Sequence, residues 1–151
     1  MLLGAAGMWA APSAAFATDG ARTEHLVTDE TTLVQAIAAI NESPDPDGDL
    51  ISFVASTPTT IALTSSLPAF DAAVPQHIEI ACATDPEGRL LVTLDGQSHA
   101  SRVLGFVNPN GGSMQVSGLR IVGARASAIS VSGPGATDLS VSVVDISGAQ
   151  N

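Results

Sequence analysis

The sequence of 151 residues has no lysine, a single cysteine and few aromatic residues. A single cysteine excludes an internal disulfide bond. Cys82 has no histidine or basic residue beside it in "IEIACA", so we expect a small packing residue and not a reactive thiol. Fifteen acidic residues stand against five arginines, and the formal net charge is -10. Because such a surface repels phosphate backbones and anionic lipids, we expect no nucleic-acid partner.

Small and β-branched residues predominate instead, which favours strands over surface helices. From Leu50 onward the chain consists of short apolar runs separated by turn residues, such as "LISFV", "TIALT", "HIEIACA" and "LLVTLDG". Their length and β-branched content predict strands. The only good hairpin turn is "PNGG" at residues 109–112, so a regular antiparallel meander is not indicated.

Residues 1–17 carry no charge and end in Ala15-Phe16-Ala17, a small-x-small pattern that predicts a signal peptide cleaved after Ala17. The basic stretch that precedes the apolar run of an ordinary signal is missing. A membrane anchor is the alternative, but it needs about twenty strongly apolar residues. We therefore predict an exported chain, secreted or on a bacterial cell surface, with no membrane insertion after cleavage. Residues 18–28 are predicted to form a linker or a short first strand.

One helix is predicted over residues 29–41, "DETTLVQAIAAIN". Thr32 and Gln35 stand in the capping-box relation. The prolines and glycine of "ESPDPDGD" prevent continuation beyond Asn41. An apolar stripe has helical spacing and is expected to cap the first layer of strands: Leu33, Ile37 and Ile40.

A nine-residue segment occurs twice: "VSGLRIVGA" at 116–124 recurs as "VSVVDISGA" at 141–149, with five of the nine residues identical. "VTLDG" (92–96) precedes "LRIVG" (119–123) by twenty-seven residues, and "LGFVNP" (104–109) precedes "AISVSG" (128–133) by twenty-four. Short strands with a period near twenty-five are typical of a solenoid, whose successive coils pair in parallel about 4.8 Å apart.

The apolar residues also change phase within a run. They occupy odd positions over 139–143 and even positions over 144–146, and the same change occurs at Gly118. A chain changes phase in this way at a sharp corner, where apolar groups must still point inward. The rival architecture is a β-sandwich, which predicts longer, strictly alternating strands with recognisable hairpins.

"TTLVQAIAAIN", "DPDGDLISF", "TIALTSSLPAF", "HIEI", "LVTLDGQ" and "GLRIVGA" follow one another along the chain. In this order, residues 25–149 resemble the N-terminal part of the pectin-lyase-like right-handed parallel β-helix proteins, and more narrowly bacterial autotransporter-like adhesins. The resemblance implies an all-β fold, a right-handed parallel β-helix (solenoid) with an N-terminal capping helix and coils over residues 50–151. The helix departs from the family pattern, because it lacks the Gly-Ser and Arg found there.

Enzymes of this fold hold Ca²⁺ with grouped acidic residues and use Arg or Lys as a base, or combine grouped Asp residues with His and an Arg-x-Lys element. The strand region offers Asp95, Asp138 and Asp145, with Arg120 and Arg125. An offset of twenty-five places Arg120 beside Asp145 on adjacent coils. We interpret this as a solvated ion pair, worth about 0.2–1 kcal/mol, and assign no catalytic residue.

The acidic turn "DPDGD" places Asp45, Asp47 and Asp49 at alternate positions, as calcium loops do. Its glycine stands at the wrong position, and Ser56 at the twelfth position is no bidentate carboxylate, so we predict a solvated turn. The three histidines have no ligand-like spacing: His25, His77 and His99. We therefore assign no metal and no cofactor. "NES" at Asn41 matches a glycosylation acceptor.

Three hypotheses about function follow. The first is a non-catalytic secreted or surface-displayed β-helix segment with a structural or adhesive passenger role, whose partners are surface glycans or host and matrix proteins. The second is the N-terminal fragment of a carbohydrate-active enzyme, a polysaccharide lyase or glycosidase whose catalytic coils lie beyond residue 151. The third is a sandwich-type binding module.

The last predicted coil leads to an expectation of self-association. Val141, Val143 and Ile146 are predicted to point inward, with few residues after them. Because a solenoid needs a polar terminal cap, we expect a chain truncated at its C-terminus, or one whose last coil another chain covers. Without residues 1–17 it should associate end to end, and an added capping helix should suppress this. Ile121→Asp and Ile146→Asp are each expected to abolish folding.

Overall fold

The computed structural model describes residues 22–72, 74–107, 111–133, 137–142 and 145–147. Over these residues there is one helix, α1 (Glu30–Glu42). The strands are β1 (Thr23–Val27), β2 (Asp49–Phe53), β3 (Thr59–Ala62), β4 (Ala69–Phe70), β5 (Gln76–Cys82), β6 (Val92–Asp95), β7 (Arg102–Val107), β8 (Gly112–Ser117), β9 (Leu119–Val122), β10 (Ser127–Ser132), β11 (Thr137–Ser142) and β12 (Asp145–Ser147). All ladders between these strands are parallel. The described part of the protein is therefore mostly β, with parallel sheets and one short helix.

The strands form three sheets. Sheet A has the order β1-β2-β5-β8-β11, sheet B the order β3-β6-β9-β12, and sheet C the order β4-β7-β10. From β2 onward the chain visits sheets A, B and C in turn three times, and β11 and β12 then lie in A and B. From β2 onward, neighbouring strands of a sheet are thus joined by a passage through the other two sheets, whereas β1 and β2 are joined through α1.

The repeated phrases lie side by side in these sheets. Ile146 pairs with Ile121, and Ile121 pairs on its other side with Leu94, so the predicted offsets of twenty-five and twenty-seven are confirmed. The predicted offset of twenty-four is wrong, because Leu104 pairs with Ile129, twenty-five residues later. An offset of twenty-four would place Leu104 beside Ala128 and would mix inward with outward positions, since side-chain direction alternates along a strand.

A sharp corner joins β8 to β9 at Gly118, as the change of phase predicts. Gly118 has φ +70°, and a Cβ atom there would collide with the backbone oxygen of Cys82. The predicted hairpin at "PNGG" is wrong, because β7 and β8 on either side of it lie in different sheets. Gly111, which precedes β8, has φ 87°, and Gly112, the first residue of β8, has φ 139°. The second predicted corner, at 143–144, lies outside the described residues.

Helix α1 is present, but the predicted cap is wrong. The N-cap is Asp29, whose carboxylate accepts from the backbone N–H of Thr32, while the Thr32 hydroxyl accepts from the backbone N–H of Asp29. Thr32 is therefore the third residue of the first turn and not the cap. Asp29 is the stronger capping residue type, and starting there adds most of a turn to the helix.

The apolar stripe of α1 is fully buried, and the helix contacts β1 and β4. Its residues join the strand residues in one apolar cluster. Sheet C contributes Phe70 and Phe106, whose ring centroids are 6.3 Å apart. Sheets A and B contribute their inward columns, including Ile51, Ile80 and Val116 of sheet A, and Ile61, Leu94 and Ile121 of sheet B.

In the described part of the chain no strand pairs with the outer edges of β10, β11 and β12. We call these three edges the open end. Four inward-phase residues there remain exposed: Val131 (41%), Leu139 (41%), Val141 (44%) and Ile146 (48%). The predicted interior position of Val141 and Ile146 is therefore wrong as a statement of burial, although both continue buried columns. Val143 lies outside the described residues.

Candidate functional site

A polar cavity of about 80 Å³ lies on the outer face of sheet A. His77 and Glu79 are two positions apart on β5. The register of the sheet brings Ser113 and Gln115 of β8 beside them. Because alternate residues of a strand share one face, these four side chains line the cavity together. Arg22, Asp47 and Asp49 also line the cavity, and the guanidinium group of Arg22 donates to the carboxylate of Glu79.

His77 and Ser113 are in direct contact in this cavity, with 2.9 Å between Nδ1 and Oγ. Nucleophilic catalysis needs a histidine that contacts the serine on one side and an orienting group on the other. Asp47, Asp49 and Glu79 line the same cavity, but among the described residues the His77 side chain makes its hydrogen bond to Ser113 and none to a carboxylate. The cavity therefore has hydrogen-bonding groups for a polar ligand, but not the order of groups that activates a serine.

A larger groove of about 530 Å³ runs along sheet B. It is lined by two arginines, two acidic residues and small or apolar residues: Pro58, Asp85, Gly88, Arg89, Leu90, Arg120 and Asp145. Arg120 Nε lies 3.0 Å from Asp145 Oδ2, so the predicted ion pair is confirmed, and it joins the neighbouring strands β9 and β12. About half of each of these two side chains is exposed.

The second arginine of the groove is held by a tight turn before β6. Arg89 Nε lies 2.6 Å from Asp85 Oδ2, and its Nη2 lies 3.1 Å from Glu87 Oε2. Hydrogen bonding from the backbone N–H of Arg89, followed by that from its side chain, lowers the pKa of Asp85. The same carboxylate raises the pKa of Arg89. The groove thus carries two fixed pairs, each with a cationic donor and an anionic acceptor.

The acidic turn at 45–49 is held by internal hydrogen bonds. Asp45 accepts from the hydroxyl and backbone N–H of Thr23 and from the backbone N–H of Asp47, and the Thr23 hydroxyl is the first cause that lowers the pKa of Asp45. Asp49 is only 1% exposed, so the prediction of a solvated turn is wrong for this residue. Its carboxylate lies 3.1 Å from His25 Nε2 and accepts from the backbone N–H of Asp45.

The other residues predicted to be of interest are scattered. Asp95 accepts from the backbone N–H of Gln97 at the turn after β6. Arg125 is exposed and does not line the groove, so only Arg120 and Asp145 of the five strand-region charges come together. Burial raises the pKa of the Cys82 thiol to about 12, as expected for a packing residue.

Asn41, whose motif matches a glycosylation acceptor, has a structural role. Its amide nitrogen donates to the backbone oxygen of Ala69 at 2.7 Å, and its side-chain oxygen accepts from the backbone N–H of Asp71 at 2.9 Å. The side chain thereby ties the end of α1 to the segment around β4.

The sequence did not predict the cavity on sheet A or the part of the groove around Arg89, for two different physical reasons. Ile78 pairs with Met114, thirty-six residues later, so a search for periods of twenty-four to twenty-seven cannot place His77 beside Ser113. Arg89 was missed because it belongs to a turn and not to a strand. The signal that could have found the cavity is the alternation of polar residues in "QHIEI" and "GSMQV".

Over residues 22–72, 74–107, 111–133, 137–142 and 145–147, no group of three or more His, Cys, Asp or Glu side chains is placed to hold a metal ion. None of the described helices is long and apolar enough to cross a membrane. The predicted signal peptide, residues 1–17, lies outside the described residues. Comparison of the chain with models of protein families, with curated proteins and with solved structures finds no match.

Proposed function

We propose that this chain is a right-handed parallel β-helix with an N-terminal capping helix, exported as a structural or adhesive segment that binds glycans without cleaving them. The repeated visit to sheets A, B and C supports a coil. A shared apolar cluster between the three sheets supports a coil that encloses its core. The hand follows from the strong preference for right-handed crossovers between parallel strands of one sheet.

The groove on sheet B supports the adhesive role. Arg89 and Arg120 are each paired with a carboxylate, so each pair offers a donor and an acceptor at one place. A sugar hydroxyl can accept from the guanidinium group while it donates to the carboxylate. Leu90 and Pro58 supply apolar surface beside these pairs, which suits the apolar face of a sugar ring. We therefore favour a hydroxyl-rich surface glycan as the ligand, with host or matrix glycoproteins as its carriers.

This proposal is tested by screening the purified chain against an array of neutral and acidic glycans and titrating the best binder by calorimetry. Arg120→Ala and Arg89→Ala should each weaken binding about tenfold or more, because a charge-assisted hydrogen bond contributes about 1.5–3 kcal/mol. Arg125→Ala is the matched control, since it removes an exposed arginine outside the groove, and it should leave the affinity unchanged.

Two results would overturn the proposal. Equal losses in Arg125→Ala and Arg120→Ala would show binding by net charge and not by the groove. Release of new reducing ends or unsaturated sugars from the bound glycan would show cleavage, which supports a carbohydrate-active enzyme instead.

A further inference from the structure

We infer that the groove on sheet B selects neutral oligosaccharides and excludes those that carry carboxylate or sulfate groups, an inference that rests on the proposed glycan-binding function. Arginine side chains commonly hold anionic ligands through paired hydrogen bonds. In this groove the charges around both arginines decide against such ligands.

The charged groups of the groove cancel. The described residues that line it include two arginines, Arg89 and Arg120, and two aspartates, Asp85 and Asp145. Glu87 is largely exposed and contacts Arg89, so it adds a further negative charge. The whole chain has a formal net charge of -10. An anionic ligand therefore meets no excess of positive charge among these residues, and the field of the whole chain repels it.

Arg89 is held by two carboxylates at once. Its Nε lies 2.6 Å from Asp85, and its Nη2 lies 3.1 Å from Glu87. The backbone N–H of Arg89 also donates to Asp85. This backbone hydrogen bond is the first cause that lowers the pKa of Asp85, and the side chain of Asp85 in turn raises the pKa of Arg89. Both groups are therefore charged at neutral pH, and a ligand carboxylate that displaced either acceptor would stand beside a like charge.

The pair of Arg120 and Asp145 can accept a hydroxyl group without being separated. The pair joins Nε to one oxygen of the carboxylate, and about half of each side chain is exposed. A guanidinium group has five N–H donors, and an ionised carboxylate has two acceptor oxygens. A sugar hydroxyl can accept from Arg120 and donate to Asp145. A carboxylate or sulfate group can only accept, so it uses the arginine alone and meets the negative charge of Asp145.

Matched pairs of glycans test this selectivity. The array includes lactose with sialyllactose, and cellohexaose with the same oligosaccharide oxidised at C6 to uronates, and the pairs that bind are titrated by calorimetry. The neutral member should bind at least about tenfold more tightly, because like charges brought together in an interface are strongly disfavoured. Its affinity should not depend on salt concentration, since an uncharged ligand has no charge to screen.

A single substitution in the groove should reduce the selectivity. Asp145→Asn keeps the size of the side chain but removes the negative charge beside Arg120. The neutral member should then bind about fivefold more weakly, because a charge-assisted hydrogen bond becomes a neutral one, while the charged member should bind more tightly. Asp138→Asn is the matched control, since it removes the same charge from an exposed position on sheet A. It should leave both affinities unchanged, and circular dichroism melting checks that both variants fold.

Several results would overturn the inference and leave glycan binding in place. These are equal binding of both members of a pair, preference for the charged member, or unchanged affinities in Asp145→Asn. The same gain for the charged member in Asp138→Asn would also overturn it, because the net charge of the chain and not the groove would then set the selectivity. Failure of every pair to bind would instead overturn the proposed function itself, so the two failures are distinguishable.

Discussion

The two ends of the molecule differ in how far their inward-facing apolar residues are buried. We call the helix end α1 together with the strands that it contacts, β1 and β4. There Leu33, Ile37 and Ile40 are fully buried. Three residues at the open end are also apolar and continue buried columns of their sheets, yet each is more than two-fifths exposed: Leu139, Val141 and Ile146.

The column that contains Ile61, Leu94, Ile121 and Ile146 makes the comparison sharpest. Its members follow one another across sheet B. The first three are buried and the last is about half exposed. Ile61 is buried although β3 is also an edge strand of sheet B, so burial in this column depends on what covers a residue and not on its type or direction alone.

The largest expected effect is the difference in stability between the Ile121→Asp and Ile146→Asp variants. Ile121 lies between two layers, where an unpaired carboxylate costs several kcal/mol, a large part of the 5–15 kcal/mol that holds a typical domain. We expect Ile121→Asp to lose cooperative melting. The exposure of Ile146 revises the initial expectation for the second variant, which should lose about 1 kcal/mol or less.

Urea denaturation followed by circular dichroism, at a concentration low enough for the monomer, measures both variants. Cooperative unfolding of Ile121→Asp near the original midpoint would mean that this column is not enclosed. Collapse of Ile146→Asp would mean that the open end is covered in solution.

A smaller effect is expected from shortening leucines at the two ends. Leu33→Ala removes a fully buried side chain under the helix and should reduce the free energy of unfolding by about 2–5 kcal/mol. Leu139→Ala removes a side chain that is 41% exposed and should cost about 1 kcal/mol or less. The same denaturation experiment measures both changes. Similar losses at the two positions would contradict the difference between the ends.

The smallest effect is a difference in acid sensitivity. The backbone N–H of Thr32 lowers the pKa of Asp29 below its ordinary value of 3.8, and the Thr23 hydroxyl lowers that of Asp45. Both carboxylates lie beside α1 and β1. A carboxyl whose pKa is lowered in the folded state contributes stability above its unfolded pKa and loses it as the pH falls through the folded value.

Below about pH 3.8 α1 and β1 should therefore loosen before β9, and the turn at Asp85, whose pKa is also lowered, should loosen with them. Hydrogen exchange followed by mass spectrometry should show faster exchange in peptides of α1 and β1 than in a peptide of β9 (Leu119–Val122) as the pH falls, after correction for intrinsic rates. Asp29→Asn should reduce this pH dependence in α1, because asparagine also caps helices but does not titrate in this range. Uniform loosening along the chain would contradict the assignment.

Much of the fold can be predicted from patterns within short stretches of the sequence. The helix, the corner at Gly118 and the offset between Ile121 and Ile146 each follow from spacing within one or two short phrases. The cap was misplaced because Asp29 and Thr32 are both capping residues three positions apart, and only the length of the packed helix decides between them.

The candidate sites could be predicted only in part. Arg120 and Asp145 could be placed together because the offset between β9 and β12 equals the offset of twenty-five between the two similar sequence segments. His77 and Ser113 were not, since the residues between β5 and β8 add eleven positions to that period, as the registers of thirty-six and twenty-five show. The burial of Asp49 was missed because a carboxylate in a proline- and glycine-containing turn has the composition of a solvated residue.

Those eleven additional residues have a consequence for how such a chain can change over time. Strand β5, which precedes them, stays in register with both of its neighbours, β2 and β8. The turn at Asp85 and Arg89 lies between β5 and β6 and not within a strand. Lengthening a closed loop adds little entropic cost, so a corner can accept new residues while the layers above and below remain unaltered. Insertion at corners thus gives this architecture a route to new binding surfaces that does not pass through a less stable core.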